Sequence, residues 1–175
     1  HYLKLGHPVL VTNTTKTGQA RAKSLFLKAP YLDLFQAVYL PADQVHLIRE
    51  FYQKYQPKLL ALVETELWPN LIDQAQHFQV PCLLINARLS EKSAKGYAKV
   101  KGLTRGMLQN LQQVLAQDLA TQQRFIALGM PSERTRVVGN IKFDIRAPED
   151  FVEQAVQLQQ TWQLAHRKII TLAST

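Results

Sequence analysis

The sequence is poor in the features that define several large classes of protein. It holds one cysteine, Cys82, so it has no internal disulfide, and it fits a reducing compartment. We expect Cys82 in a buried strand. No run of apolar residues reaches the length of a membrane span, and the start is no signal peptide. The five histidines, His1, His7, His46, His77 and His166, lack metal-ligand spacing. There is no Gly-rich dinucleotide fingerprint, no Walker loop, no G-x-S-x-G elbow and no paired-histidine zinc pattern. Aromatic residues are scattered at core-like positions and not set among basic ones, which disfavours an RNA platform. Acids are also scarce: 13 Asp and Glu face 21 Lys and Arg, a formal net charge of +8. That balance favours anionic partners and says nothing of fold. The chain begins at His1, as a fragment would.

With 175 residues, 46% of them hydrophobic, the chain can bury one good core and part of a second. Its focus is Leu59–Asn70. Five apolar residues, Leu59 to Val63, run into Glu64 and Glu66, then into Trp68-Pro69. The run reads as a buried strand of a parallel sheet, and Pro69 suits the first turn of a helix. Glu64 and Glu66 then stand where a strand ends and a helix begins, the edge at which open α/β sheets bind ligands. They would point the same way, with Thr65 opposite, if the strand reaches that far. The competing reading makes them first-turn acids that favour the helix dipole.

The rest of the chain alternates. Pro8–Thr12 reads as a strand, Asn13–Gly18 as a hydroxyl-rich turn, and the pattern through Leu27 as a helix. Thr14, Thr15 and Gly18 suit an oxyanion or a sugar hydroxyl, or plain capping by Thr14 or Thr15. Phe35–Pro41 is a second strand, and Asp43 can cap the helix carrying Ile48 and Tyr55. Val80–Asn86 is the next strand after the central one. At its end Asn86 and Arg88 offer a fork for phosphate or carboxylate, and Ser90 can cap the following helix. Lys92, Lys95 and Lys99 share one helical face, solvated or anion-facing, before Gly102 and Gly106 break or bend the region. Val114–Gln117 is a strand, Asp118 a cap, and Gly129 a helix end. The stretch 146–150 is a linker, residues 149 to 163 form a helix, and 168–175 start a strand. This order predicts an α/β fold, a Rossmann-like parallel sheet with helices on both faces and right-handed crossovers. The strands ending at Thr12, Thr65 and Asn86 should open onto one common edge.

Together Glu64–Asn70, Asn86–Ser90 and Gly139–Asp144 resemble the 3-deoxy-D-manno-octulosonic acid (Kdo) transferases of lipopolysaccharide biosynthesis. Asn13–Gly18 is similar to that family's Thr-rich turn, with Asn13 and Lys16 where Thr and Pro are commoner, and Ala173-Ser174-Thr175 resembles the start of a further motif. The resemblance implies the N-terminal half of a two-domain GT-B glycosyltransferase. Residues 1–145 would be the acceptor-side domain lacking its first strand; residues 146–175 would be a linker, helix and first strand of the donor domain. By the same resemblance, Kdo passes from CMP-Kdo to the lipid A precursor by inverting displacement, with no required metal and no cofactor. The general base would lie upstream, and the fragment alone would be inactive. Glu64 and Glu66 would line the cleft floor; Thr14, Thr15, Gly18, Asn86, Arg88 and Ser90 would bind substrate. Asn140, Lys142, Ser174 and Thr175 would lie on the donor side. The partners implied are the lipid A precursor, CMP-Kdo and the anionic cytoplasmic face of the bacterial inner membrane, with no nucleic acid. The rival classes are a different Rossmann-like nucleotide-using enzyme and a basic binding module.

Overall fold

In the computed structural model, residues 2–144 and 151–162 are described. The chain forms two compact units, His1–Gly139 and Asn140–Thr175. The first carries β1 (Val9–Asn13), α1 (Lys16–Phe26), β2 (Phe35–Tyr39), α2 (Val45–Tyr55), β3 (Leu60–Val63) and α3 (Pro69–His77). It continues with β4 (Cys82–Ala87), α4 (Glu91–Lys99), α5 (Lys101–Asn110), β5 (Gln113–Ala116), α6 (Leu119–Ala127) and β6 (Thr135–Val137). The second unit holds a 3-10 turn at Ile141–Asp144 and α7 (Phe151–Thr161). Every described side chain of α7 is exposed, Phe151 and Val156 included. The expected linker at 146–150 and the expected strand at 168–175, with Ser174 and Thr175, lie outside the described residues.

All strand pairs are parallel, as strand–helix alternation requires. The strands divide, however, into β1-β2 and β3-β4-β5-β6, where one sheet was expected. Among the described residues no strand joins β1 to β3. This corrects the reading of Leu59–Val63 as a buried strand. Among the described residues β3 pairs with β4 alone, and Leu59 and Val63 are 44% and 50% exposed. β4 takes the buried place: Cys82, Leu84, Asn86 and Ala87 are all inside.

The main core forms where α2, α3 and α5 meet the four-stranded sheet. Ile48, Ile72, Leu84, Leu108, Val114 and Phe125 are fully buried there. Each such side chain contributes roughly 1.5–3 kcal/mol by leaving water. Tyr52 stacks on Phe78 with ring centroids 5.4 Å apart, and its hydroxyl donates to the Leu71 carbonyl at 3.0 Å. A smaller core of Leu3, Ala22 and Phe35 sits at the two-stranded sheet.

Two local expectations fail for physical reasons. Gly102 and Gly106 do not break the chain; both lie inside α5. The break is at Val100, where the Thr104 hydroxyl donates to the Tyr97 carbonyl at 2.8 Å and satisfies an acceptor at the end of α4. Asp43 does not cap α2, whose N-cap is Gln44 with no side-chain bond. Its carboxylate turns to α3 instead, accepting from Asn70 N at 3.1 Å and Leu71 N at 2.9 Å.

Candidate functional site

The carboxyl ends of β3 and β4 are adjacent, with Val63 paired to Ile85. β3 stops at Val63, so Glu64 and Glu66 do not alternate along a strand as expected. Glu64 adopts φ +63°, a left-handed conformation costly for a residue with a Cβ, while its N–H donates to the Ile85 carbonyl at 3.0 Å. The chain therefore turns sharply, and the Thr65 hydroxyl donates to the Arg88 carbonyl. Glu66 and Arg88 thus share one edge of the sheet. The Asp43 contact brings the end of β2 to the start of α3, and β1 pairs with β2 in register up to Asn13. The ends of β3 and β4 share the expected edge, whereas β1 belongs to a separate sheet, so Thr12 does not end on that same sheet edge.

Glu66 is exposed, yet held: the Trp68 indole N–H donates to its Oε2 at 2.9 Å. Trp68 packs against the main core, so it links the carboxylate to a rigid base. Tyr97 of α4 feels the same carboxylate. Its hydroxyl pKa is raised, first by burial and then by the nearby Glu66 carboxylate. Neither acid caps α3. Its N-cap is Trp68, with Pro69 in the first turn, and Asp43 supplies the acceptors.

β4 carries an irregularity at the decisive place. Leu84 pairs with Val114 and Ala87 with Ala116, so β4 spends one extra residue between them. Asn86 lies in this bulge at φ +51°. A bulge re-aims the side chains that follow it. Here Asn86 is buried, 7% exposed, whereas Arg88 is exposed and Leu89 is buried. Asn86 and Arg88 therefore differ sharply in access to solvent. Ser90 caps α4, accepting from Ser93 N at 3.1 Å.

Beyond the cap, Lys92, Lys95 and Lys99 line an open depression of about 800 Å³ with Ser90, Glu91 and Gly96. Lys95 pairs with Glu91 at 2.6 Å, both well exposed, which is worth little in water. Val100 and Leu103, at the elbow between α4 and α5, are 51% and 54% exposed. The helix pair thus presents apolar residues among cations. No helix among the described residues is long and apolar enough to cross a membrane.

Thr15 caps α1 through its hydroxyl, which accepts from Gly18 N at 3.1 Å. Thr14 is exposed at the same turn. Gly18 has a steric reason: a Cβ there would stand 2.9 Å from Asn13 Oδ1. In the second unit, the Asn140 side-chain oxygen accepts from Lys142 N at 3.0 Å. Among the described residues no three His, Cys, Asp or Glu side chains gather as metal ligands would.

Sequence reasoning missed four residues of this edge: Asp43, Thr65, Gln117 and Arg124. Gln117 follows β5 at the same edge, a position that could have flagged it. The other three act across long sequence separations and leave no local signal.

Comparison with known proteins bears on family and fold. The sequence model of the 3-deoxy-D-manno-octulosonic-acid transferase (kdotransferase) family matches residues 3–145. The chain is 35% identical over 167 residues to a 3-deoxy-D-manno-octulosonic acid transferase of Haemophilus influenzae, covering 95% of this chain and 38% of that protein. It is 34% identical to the Bordetella pertussis protein of the same name, covering 99% and 39%. The chain thus spans under two-fifths of the length of these relatives. Among solved structures, a UDP-GlcNAc 2-epimerase from Neisseria meningitidis superposes with a TM-score of 0.53 at 14% identity, covering 90% of this chain and 43% of that one. A Listeria monocytogenes protein described as a UDP-N-acetylglucosamine 2-epimerase gives 0.51 at 11% identity, covering 84% and 50%. At such identities the likeness concerns the fold alone, that of an N-terminal GT-B half. The family match over residues 3–145 makes this chain a member of the Kdo transferase family of glycosyltransferases.

Proposed function

We propose that the protein takes part in transferring Kdo from CMP-Kdo to the lipid A precursor, by inverting displacement without a required metal. The observation that carries this reading is the junction of Glu66 and Arg88 at one sheet edge, tied by Thr65. In the reaction a carboxylate removes the proton from the acceptor's sugar hydroxyl as that oxygen attacks the anomeric carbon, and CMP leaves. Glu64 and Glu66 stand on the cleft floor, beside that base or on acceptor hydroxyls. Arg88 meets an anionic group, the acceptor phosphate or the donor carboxylate, through a planar fork that lysine does not reproduce. Ser90 and the start of α4 add donors toward the same charge. Thr14, Thr15 and Gly18 shape the neighbouring turn for substrate. Asn140 and Lys142, with Ser174 and Thr175, serve the donor side.

The acceptor is an anionic lipid, so the enzyme works at a membrane surface, the cytoplasmic face of the inner membrane. The α4–α5 elbow suits that surface: Val100 and Leu103 are exposed beside Lys99, Lys101 and Arg105. The deciding experiment incubates the full-length protein with CMP-Kdo and lipid A precursor, with and without a chelator. Kdo-modified lipid and released CMP in equal amounts support the proposal. A folded protein that yields neither, or one silenced by the chelator, contradicts it.

A further inference from the structure

The loop that carries Arg88 is fastened in an unusual way. Four consecutive carbonyls, those of Asn86, Ala87, Arg88 and Leu89, each accept a hydrogen bond from outside the loop. The Gln117 side-chain amide donates to Asn86 O at 3.0 Å, and Gln117 N donates to Ala87 O at 3.0 Å. The Thr65 hydroxyl donates to Arg88 O. Arg124 Nη1, from α6, donates to Leu89 O at 2.9 Å. These donors come from three separate places: the loop after β3, the end of β5, and α6.

The bulge at Asn86 explains the need. The ladder to β5 shifts register at the bulge, resumes at Ala87 and ends there, so the carbonyls of Asn86, Arg88 and Leu89, beside buried Asn86, Ala87 and Leu89, must find side-chain donors. What the arrangement achieves is more than satisfaction. Leu89 anchors one end of the loop and the bulge the other, while the Arg88 carbonyl is pinned between them. Only the Arg88 side chain is left exposed. One of these bonds comes from a guanidinium, a charged donor whose bonds are stronger than neutral ones.

We infer that Thr65, Gln117 and Arg124 are positioning residues that set the aim of the Arg88 guanidinium toward its anionic partner. This rests on the reading of Arg88 given above. A group held this way meets the substrate with its orientation already fixed, and positioning of that kind is lost by small displacements.

The test uses the full-length protein with Thr65→Val, Thr65→Ser, Arg124→Ala, Arg88→Ala and the double variant Arg88→Ala/Arg124→Ala. Amide hydrogen exchange reports the loop, and Kdo-transfer kinetics report its use. Thr65→Val and Arg124→Ala should speed exchange at Ala87 to Ser90 by about tenfold or more. They should raise KM for the anionic substrate that Arg88→Ala affects, by about threefold or more and by more than kcat falls. Thr65→Ser should restore both. The double variant should be no worse than Arg88→Ala alone, because the two act as one unit. Additive losses in the double variant, or a KM at the wild-type value in both Thr65→Val and Arg124→Ala, would overturn the inference, as would unchanged exchange. If Arg88→Ala itself leaves every KM at wild type, the assignment of Arg88 fails, and the exchange data alone decide whether these residues hold the loop.

Discussion

Asp43 caps a helix that is not its own. Its Oδ1 accepts from Leu71 N at 2.9 Å, across 28 residues of sequence, and its main-chain oxygen accepts from the Asn70 side chain at 2.6 Å. The loop after β2 is thereby fixed to the first turn of α3, next to Trp68 and Glu66. Asp43→Ala should lower stability by about 1 kcal/mol, the usual cost of a lost cap. Urea denaturation measures it, and a variant as stable as wild type removes Asp43 from this role.

Glu66 separates a chemical from a structural role. Because Asp43 already caps α3, Glu66→Gln should leave the melt almost unchanged. Transfer should fall by roughly 10²-fold or more, on the scale of a lost acid–base or electrostatic contribution. The opposite pattern, turnover kept with roughly 0.3–1 kcal/mol of stability lost, would make Glu66 only a partner of the helix dipole.

The elbow of α4 and α5 predicts membrane behaviour that this chain alone can display. Lys99→Glu and Lys101→Glu should each weaken sedimentation with phosphatidylglycerol vesicles, by about 1 kcal/mol per charge removed. Leu103→Ser should weaken it too, and added salt should act on the charges and spare the apolar part. Lys23→Glu on α1 is the control. Equal loss in the control, or equal binding to neutral vesicles, sinks the assignment.

Cys82 predicts an alkaline limit. Burial pushes its thiol up to about 12 from an ordinary 9.0, and Tyr52 moves in the same direction. The folded state therefore keeps a proton that the unfolded state gives up. This stability is complete below pH 9 and falls as pH rises toward 12, by on the order of 1 kcal/mol per pH unit. Urea melts of wild type and Cys82→Ala at several alkaline pH values should diverge in slope. Parallel slopes would show that the thiol is not the source. At pH 8 the native thiol should resist labelling that the unfolded chain accepts at once.

The alternation of strand and helix was readable because apolar runs and turn residues are local signals. Thr15, Ser90 and Asp118 cap their helices as expected, for a cap is encoded within three residues of its target. Asp118 even has its pKa lowered, first by the Thr121 backbone bond. What the sequence hid is non-local. Asp43 looks like a cap for α2 until α3 is placed beside it. Glu64 carries no mark of left-handed backbone, which glycine and then asparagine favour, and Asn86 stands at the end of an apolar run that reads as plain strand. Val100 breaks the α4–α5 stretch although two glycines stand nearby, because Thr104 supplies the alternative bond. The apolar run of β3 reads as interior, but burial depends on how many neighbours a strand has, which composition does not record.

The open side of β3 also governs how the protein behaves as a colloid. Among the described residues no strand pairs with that side, and such an apolar edge is a template for any extended chain, another copy included. Against this stands the formal charge of +8, which keeps copies apart. That repulsion is long-ranged and screened, whereas strand pairing is short-ranged and is not. Solubility should therefore decline as salt is raised, and concentrated stocks should keep best at low ionic strength.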